Sequence, residues 1–419
     1  MHHPKMQYTY VGIDSHKDTH TAVFLDCFFE KLGEITFENL PSTFDVFLAN
    51  AEKFQMEGTV FLFGLEDVSV YGRSLVAFLT ANDQHVRHVN SLLVAYERKN
   101  QNITQKTDSV DAECAARVLL SKFNSLPTAE TQDKYWVLRS LVTRRDFIVR
   151  QNHAAKNSLH NLLTQHYPNY RNFFGNIDCK TSLAFYDKYP SPDLLEGVTV
   201  DELADFFRQL SNQQFGTEKA REVLSTLQNT AVTFQEIRND IVHSNIRQIR
   251  FNLEETAMLE KRLKSFLAEF NCTLTSMSGM DIVSASQFLS CIGDIRSFST
   301  PAKLARYAGI APVTYASGKK DLQFSNQRGN RELNSLFYKL AVRVTMTAGP
   351  SRKVVNSFFH DYYHRKMSEG KTKRQALKCV QRRLVNIIWT MLTNNEEYVN
   401  PPTYDLPKDE IAIEKPKTK

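Results

Sequence analysis

Apolar positions in the first 125 or so residues change period several times. In YTYVGIDSHKDTHTAVFLD, Val11 and Ile13 alternate with small or polar residues and an apolar run resumes from Thr21 to Leu25, the pattern of a β-hairpin. GTVFLFGLEDVSVYG contains Val60 to Leu65, long enough for a buried strand, and a helical pattern follows it. TQKTDSVDAECAARVLL reads as the start of a helix. Strand-like and helical patterns that alternate in this way predict an α/β domain over residues 1–130.

From Lys134 the character changes. WVLRSLVTRRDFIVRQNHAAKNSLHNLL, and later the stretch from Thr217 to Phe270, contain no Gly or Pro, and their apolar residues are spaced by three and four: Val223, Leu224, Leu227, Ile237, Ile241, Ile246, Ile249, Leu253, Leu263 and Leu267 in the second. The spacing predicts two long helices across 131–270, as an antiparallel stalk or an intermolecular coiled coil. Between them, 168–216 is rich in Pro, Asn and aromatics and reads as a small helical insertion. After Asn271 the pattern becomes short helices punctuated by glycine, which predicts a mainly helical domain over 271–400. The prolines and mixed charges of 401–419 predict a flexible tail.

Composition narrows the classes. With 419 residues, 42% hydrophobic and 23% charged, the chain has the makings of a soluble globular protein of two or three domains. Six cysteines are scattered without a C-x-x-C pair or histidines at zinc spacing, so neither disulfides nor zinc is indicated and a reducing cytoplasm is expected. No apolar run reaches membrane-spanning length, and the first residues lack the apolar centre of a signal peptide. The net charge of +6 conceals an asymmetry: 301–400 holds 18 Lys plus Arg against 6 Asp plus Glu, and the rest of the chain is net acidic. Cations interleaved with Phe, Tyr and Trp form an electrostatic footprint for nucleic acid, although a solvated helix face gives the same composition.

Four carboxylates, Asp14, Glu66, Asp108 and Asp111, each close an apolar run or open a helix. Asp108 and Asp111 are three apart and share one helix face; they equally suit a cap and a first-turn acid on the helix dipole. Glu66 alone suits an ordinary loop acid after a strand. Asp14 lies within an apolar strand, where a carboxylate is costly to bury unless paired or metal-bound. As a set they read as a divalent-metal centre, and near a basic region such a centre means phosphodiester chemistry.

Three further segments carry candidate chemistry. TSMSGMDIVSASQFLSCIGDIRSF has the form helix, S-G-x turn, helix, similar to a helix-hairpin-helix module whose turn amides face a phosphate, with Met280 in place of the second glycine; a packed helical hairpin fits the same string. ARYAGIAPVTYASGKKDLQFSNQRGNRELNSLFYKLA carries a loop with Ser317, Gly318, Lys319 and Lys320, then a second from Arg328 to Arg331. Glycine lets a backbone approach a phosphate and cations stabilise charge developing during hydroxyl attack, while Ser-Gly is also an ordinary turn. In KTKRQALKCVQRRLVNIIWTML, Lys371, Lys373, Arg374, Arg382 and Arg383 are candidates for nucleic-acid contact, with Leu377, Val380, Leu384, Ile387 and Ile388 on the buried face.

The stretches GIDSHKDTH, GLEDVSVYG and KTDSVDA, with FSTPAKLARYAGIAPVTYASGK and RGNRELNSLFYKLA, occur in the order and context of a known family. The chain resembles the DEDD-type insertion-sequence transposases, bridge-RNA-guided recombinases that include site-specific invertases, and the resemblance covers nearly the whole chain. It implies an N-terminal RuvC/RNase H-like domain joined by a coiled coil to a C-terminal transposase domain. It also implies that Asp14, Glu66, Asp108 and Asp111 bind magnesium, with manganese as the alternative, and that Ser317 forms a covalent phosphoserine with DNA. Donor and target DNA and a bridge RNA are the implied partners, and homodimers that pair into a tetramer are the implied assembly at the nucleoid. Two features depart from the family: Leu333 is followed by Asn334 rather than arginine, which moves the expected phosphate contact to Arg331, and the segment containing 168–216 is long. Two rivals share these residues: a RuvC-like Holliday-junction nuclease that activates water, and a non-catalytic nucleic-acid scaffold.

Overall fold

The computed structural model describes residues 3–66, 68, 70–129, 133–225, 233–317, 320–324, 326, 329–349 and 351–400. The chain divides into two compact units, Met1–Trp136 and Val137–Lys419.

In the first unit the order is β1 (Tyr8–Ser15), β2 (Thr19–Leu25), β3 (Lys31–Glu38), α1 (Pro41–Ala51), β4 (Val60–Leu65), α2 (Arg73–Ala81), β5 (His85–His88), α3 (Ser91–Asn100) and α4 (Asp108–Lys122). The strands form one mixed sheet in the order β3-β2-β1-β4-β5, with β1, β2 and β3 antiparallel and β4 and β5 parallel to β1. The expected hairpin is present, with Asp14 opposite Thr21.

Successive side chains leave a strand on opposite faces, and the sheet uses both. Val11, Ile13, Ala22, Phe24 and Phe63 pack on one face with Phe44 and Phe47 of α1 and Leu75, Val76 and Leu79 of α2. Tyr10, Val23, Leu25 and Leu62 pack on the other with Val94 of α3 and Ala112, Ala115, Ala116 and Leu119 of α4. Gly12 and Asp14 share the parity of Tyr10 and so face α4. A Cβ at Gly12 would overlap the Ala112 carbonyl oxygen and the Ala116 amide nitrogen, so β1 and α4 meet backbone to backbone. Gly64 is its register partner on β4, where a Cβ would come within 2.8 Å of Val89 Cγ2 and 3.1 Å of Leu119 Cδ2. Two adjacent glycines, Gly12 met by Ala112 and Ala116 and Gly64 by Leu119, thus form the seat of α4.

The second unit contains α5 (Asp133–His166), α6 (Lys180–Lys188), α7 (Val200–Leu210), α8 (Thr217–Ser225), α9 (Gln235–Leu267), α10 (Ile282–Ile292), α11 (Pro301–Tyr307), β6 (Val313–Ser317), β7 (Lys320–Phe324), α12 (Arg331–Thr345), β8 (Thr347–Ala348), β9 (Lys353–Val354), α13 (Ser357–Ser368) and α14 (Lys373–Asn394). Arg145 of α5 pairs with Glu260 of α9 at 2.7 Å, and Gln165 near the end of α5 pairs with Arg238 near the start of α9, so the two helices run antiparallel. The stretch from Thr217 to Phe270, expected as one helix, is divided into α8 and α9. Phe234, immediately before α9, has φ 61°, a left-handed conformation, so α9 starts at a backbone irregularity that is neither glycine nor proline. Ile237, Ile241 and Leu253 are exposed, whereas Val242, Ile246 and Ile249 face the core.

Residues 168–216 form a lobe whose core is aromatic: Tyr170, Phe173, Phe174, Phe185, Tyr186 and Phe207 pack with Leu159 and Leu163 of α5 and Ile246 of α9. The helix-hairpin-helix reading of TSMSGMDIVSASQFLSCIGDIRSF needs correction. Its first arm is a single 3₁₀ turn, Leu274–Ser276, and the N-terminus of α10 is closed by Asp281, which accepts from Ser284 N at 2.7 Å and pairs with Arg343 at 2.7 Å. A carboxylate of the chain itself thus occupies the start of α10, where a phosphate would otherwise accept from Ser284 N. No helix among the described residues is long and apolar enough to cross a membrane.

Gly12→Ala is expected to force α4 off β1, because the obstruction is backbone and cannot rotate away. Overpacking of this kind typically costs about 1–3 kcal/mol, and backbone overlap belongs at the upper end. Thermal melts of the full chain should show a clearly lowered first transition. Gly175→Ala, where a Cβ meets nothing within 4 Å, should melt like the parent.

Candidate metal centre

The sheet and α4 bring the predicted carboxylates to one end of the first unit. Asp14 lies one residue before the end of β1, on the α4 face. Glu66 follows the last residue of β4, and its carbonyl lies 3.2 Å from His88 Nε2. Asp108 and Asp111 occupy the first turn of α4, whose cap is Thr107; the Thr107 hydroxyl accepts from Val110 N at 3.3 Å. Asp108 is therefore a first-turn acid and not the cap. Because β1 and β4 are parallel neighbours, both strands deliver their acids to the same edge, where the helix starts.

An imidazole and a guanidinium are interleaved with the acids. His16 Nε2 lies 3.2 Å from Asp14 Oδ2 and 3.2 Å from Asp108 Oδ1. Arg98, from the end of α3, makes an ion pair with Asp111, which is itself buried. Asp14 is only 9% exposed, and burial raises its carboxyl above the usual range; Asp108 and Asp111 push the same way and His16 opposes them. Glu66 is pushed up to about 7, first by burial and then by the charges of Asp14 and Asp111, against Lys106 and Arg98. Carboxylates that suppress one another's ionisation are suited to a dication, which relieves repulsion that His16 and Arg98 only partly offset. One oxygen of Asp14, one of Asp108 and one nitrogen of His16 lie within 4.8 Å of one another, which fits a shared ion.

In the second unit Ser317 ends β6 and its register partner Lys320 opens β7. Gly318, Lys319 and Arg328 lie outside the described residues. The segment beside this hairpin is fixed by backbone contacts: Asn330 N donates to Tyr307 O at 2.7 Å, and a Cβ at Gly329 would overlap Gly309. Asn334, which departs from the family pattern, donates through Nδ2 to Ala308 O at 2.8 Å and so holds the same segment. Arg331 is exposed at the first position of α12, whose cap is Asn330. On α14, Lys373 and Arg374 are exposed in the first turn and Lys371 is half-buried just before it. Arg382 and Arg383 are half-buried, and Arg382 donates to Asn386 Oδ1 at 2.9 Å, because Val380, Leu384 and Ile388 on the same helix are core.

His16 and Arg98 were not singled out from the sequence. A histidine two residues beyond an acid that ends a strand was the available signal for the first. Arg98 has none, because its partnership arises only when α3 packs beside α4.

A mixed sheet that gathers carboxylates at a helix start, in a chain with a strongly basic C-terminal segment, is an arrangement compatible with metal-dependent phosphodiester chemistry. Comparison with known proteins narrows this. One family model of DEDD type, described as "Transposase", matches residues 11–168, and another, described as "Transposase IS116/IS110/IS902 family", matches residues 271–356. The insertion element IS116 uncharacterized 44.8 kDa protein of Streptomyces clavuligerus is 28% identical over 418 residues, 94% of this chain and 96% of the relative. The insertion element IS110 uncharacterized 43.6 kDa protein of Streptomyces coelicolor is 26% identical over 300 residues, 70% of this chain and 72% of the relative. The pilin gene-inverting protein of Moraxella bovis is 29% identical over 130 residues, 30% of this chain and 37% of the relative. The chain belongs to the IS110-type DEDD transposases, enzymes that cleave and join DNA with a divalent metal.

In the metal-free protein the Glu66 carboxyl is expected to titrate near pH 7, and Asp14→Asn should lower that midpoint by removing the nearest like charge. The side-chain carbonyl signal of Glu66 in carbon NMR reads both. The same raised value means that the metal-free fold loses stability as pH rises from the usual glutamate range to about 7, since the charged form is disfavoured only in the folded state.

Proposed function

We propose that this chain is a transposase that cuts and rejoins DNA through a phosphoserine ester, with a bridge RNA selecting donor and target. The observation that carries the catalytic reading is the gathering of Asp14, Glu66, Asp108 and Asp111 at one edge of the sheet around a buried carboxylate. These four residues would hold magnesium, which when bound supplies Lewis-acid stabilisation of charge at a phosphate and its leaving oxygen. In this reading the domain of residues 1–130 is RuvC-like, a coiled-coil connector spans 131–270, and the serine belongs to a transposase domain over 271–400.

The chain's own residues divide the remaining work. Ser317 Oγ attacks the scissile phosphorus; the new P–O bond replaces the bond to a deoxyribose oxygen, which leaves carrying a proton. The ester retains the free energy of the phosphodiester, so a second deoxyribose hydroxyl attacks it, releases Ser317 and rejoins the strand without an external energy source. Lys319, Lys320, Arg328 and Arg331 flank the serine in sequence and would stabilise the charge that develops during attack. Lys371, Lys373 and Arg374 suit duplex phosphates, and Arg382 and Arg383 extend that surface. The cationic excess of 301–400 supports this assignment.

For site choice, no zinc-finger or similar DNA-reading module is evident in the sequence, and base pairing to an RNA would supply the specificity that such a module supplies elsewhere. The long α5 and α9 suit association into homodimers that pair as tetramers on two DNA partners. A second reading, site-specific inversion without RNA, is favoured by the likeness to the pilin gene-inverting protein.

A cleavage assay on DNA spanning the element's ends separates these readings. Ser317→Ala should abolish strand scission and the protein–DNA adduct; scission that survives in this variant assigns the attack to water, as in a Holliday-junction nuclease. Asp14→Asn should slow scission by roughly 10³-fold or more, since the charge stabilisation it supports is lost; an unaffected rate would exclude the carboxylates from the reaction. Ribonuclease treatment should stop recombination by a guided enzyme and leave an RNA-independent invertase active.

A further inference from the structure

The four carboxylates offer only oxygen, and His16 adds a donor of another kind. The chain leaves β1 at Ser15 and reverses before β2, and this turn is held from both sides. His16 N lies 3.0 Å from Thr19 O, to which it donates, and the Asn39 side-chain amide donates to the carbonyls of His16 at 3.1 Å and Lys17 at 3.2 Å. From that fixed backbone the imidazole is directed into the acids, with the same nitrogen, Nε2, facing Asp14 and Asp108 at 3.2 Å each.

One ring nitrogen carries one hydrogen or one lone pair, so it cannot give well-directed hydrogen bonds to two carboxylates together. The two nitrogen–oxygen distances of 3.2 Å match adjacent corners of one coordination sphere, and the two carboxylate oxygens lie within 4.8 Å of each other. Octahedral bonds of about 2.1 Å set neighbouring ligand atoms about 3 Å apart.

We propose that His16 is a nitrogen ligand of the metal centre, sharing one ion with Asp14 and Asp108, so that the site favours manganese or cobalt over magnesium. The inference rests on the reading of the carboxylates as metal-binding and specifies which ion they take. Imidazole is a borderline donor that later first-row ions bind strongly, whereas magnesium prefers oxygen and retains its waters. Coordination uses the Nε2 lone pair, with the ring hydrogen on Nδ1. No covalent bond is made or broken.

The test is direct binding of manganese, cobalt and magnesium to the full chain, each measured for the parent, His16→Ala and Asp14→Asn. The His16 side chain is 52% exposed, so its truncation removes little core packing. His16→Ala should weaken manganese and cobalt by about tenfold or more and magnesium by less than about threefold. Pulsed EPR of the manganese-loaded parent should show nitrogen modulation, a readout that requires no variant to fold. If Asp14→Asn loses all three ions while His16→Ala leaves their ratio unchanged and the EPR shows no nitrogen, His16 is only a hydrogen-bonding neighbour and the proposal falls alone. If no ion binds in an Asp14-dependent way, the metal-centre reading falls with it.

Discussion

The approach of α4 to β1 without an intervening side chain is the constraint on which the first unit depends. Three of the four gathered carboxylates come from these two elements, Asp14 from the strand and Asp108 and Asp111 from the helix. A helix on a sheet normally stands off by the thickness of two side chains. Here Gly12 on the sheet, with Ala112 and Ala116 on the helix, removes that layer two residues before Asp14. The separation of the carboxylates is therefore set by backbone, which does not change rotamer, rather than by long side chains that do.

That rigidity has an electrostatic cost, visible in the acids themselves. Asp14 and Glu66 are held above the normal carboxylate range by burial and by one another. A fold selected for stability alone would replace them with apolar residues or pair each with an arginine. Instead the structure supplies only partial compensation, Arg98 on Asp111 and His16 between Asp14 and Asp108. On the proposed metal-binding reading, the residual repulsion is what a divalent cation would relieve, so the weakness of the metal-free unit and the capacity to bind an ion would arise from one arrangement.

The sequence made some of this legible and concealed the rest for identifiable reasons. The β1–β2 hairpin followed from alternation, and the placement of Asp108 and Asp111 in a helix's first turn followed from their spacing, because both are local signals. That α9 starts afresh at Gln235 was invisible, since the residue before it is a phenylalanine in a left-handed conformation, which pattern rules reserve for glycine and asparagine. The helix-hairpin-helix expectation at 275–298 failed because a 3₁₀ turn and a capped helix present the same apolar spacing over so short a span. The roles of Gly12 and Arg98 belong to tertiary packing: glycine in a strand reads as a weakness until the helix it admits is known.

The second unit repeats the device of the first beside its own candidate residue. Where Gly329 meets Gly309, backbone contacts backbone, and Asn330 and Asn334 tie the start of α12 to Tyr307 and Ala308. The segment between α11 and α12 contains the β6–β7 hairpin and Ser317, so both ends of that excursion are clamped while the hairpin itself is a two-stranded ribbon. Asn334 matters here in a way its departure from the family pattern conceals: an arginine would carry charge toward a phosphate, whereas the amide spends its donor on the chain. Positioning at this point thus comes from hydrogen bonds to backbone carbonyls, and charge is left to neighbouring cations such as Arg331.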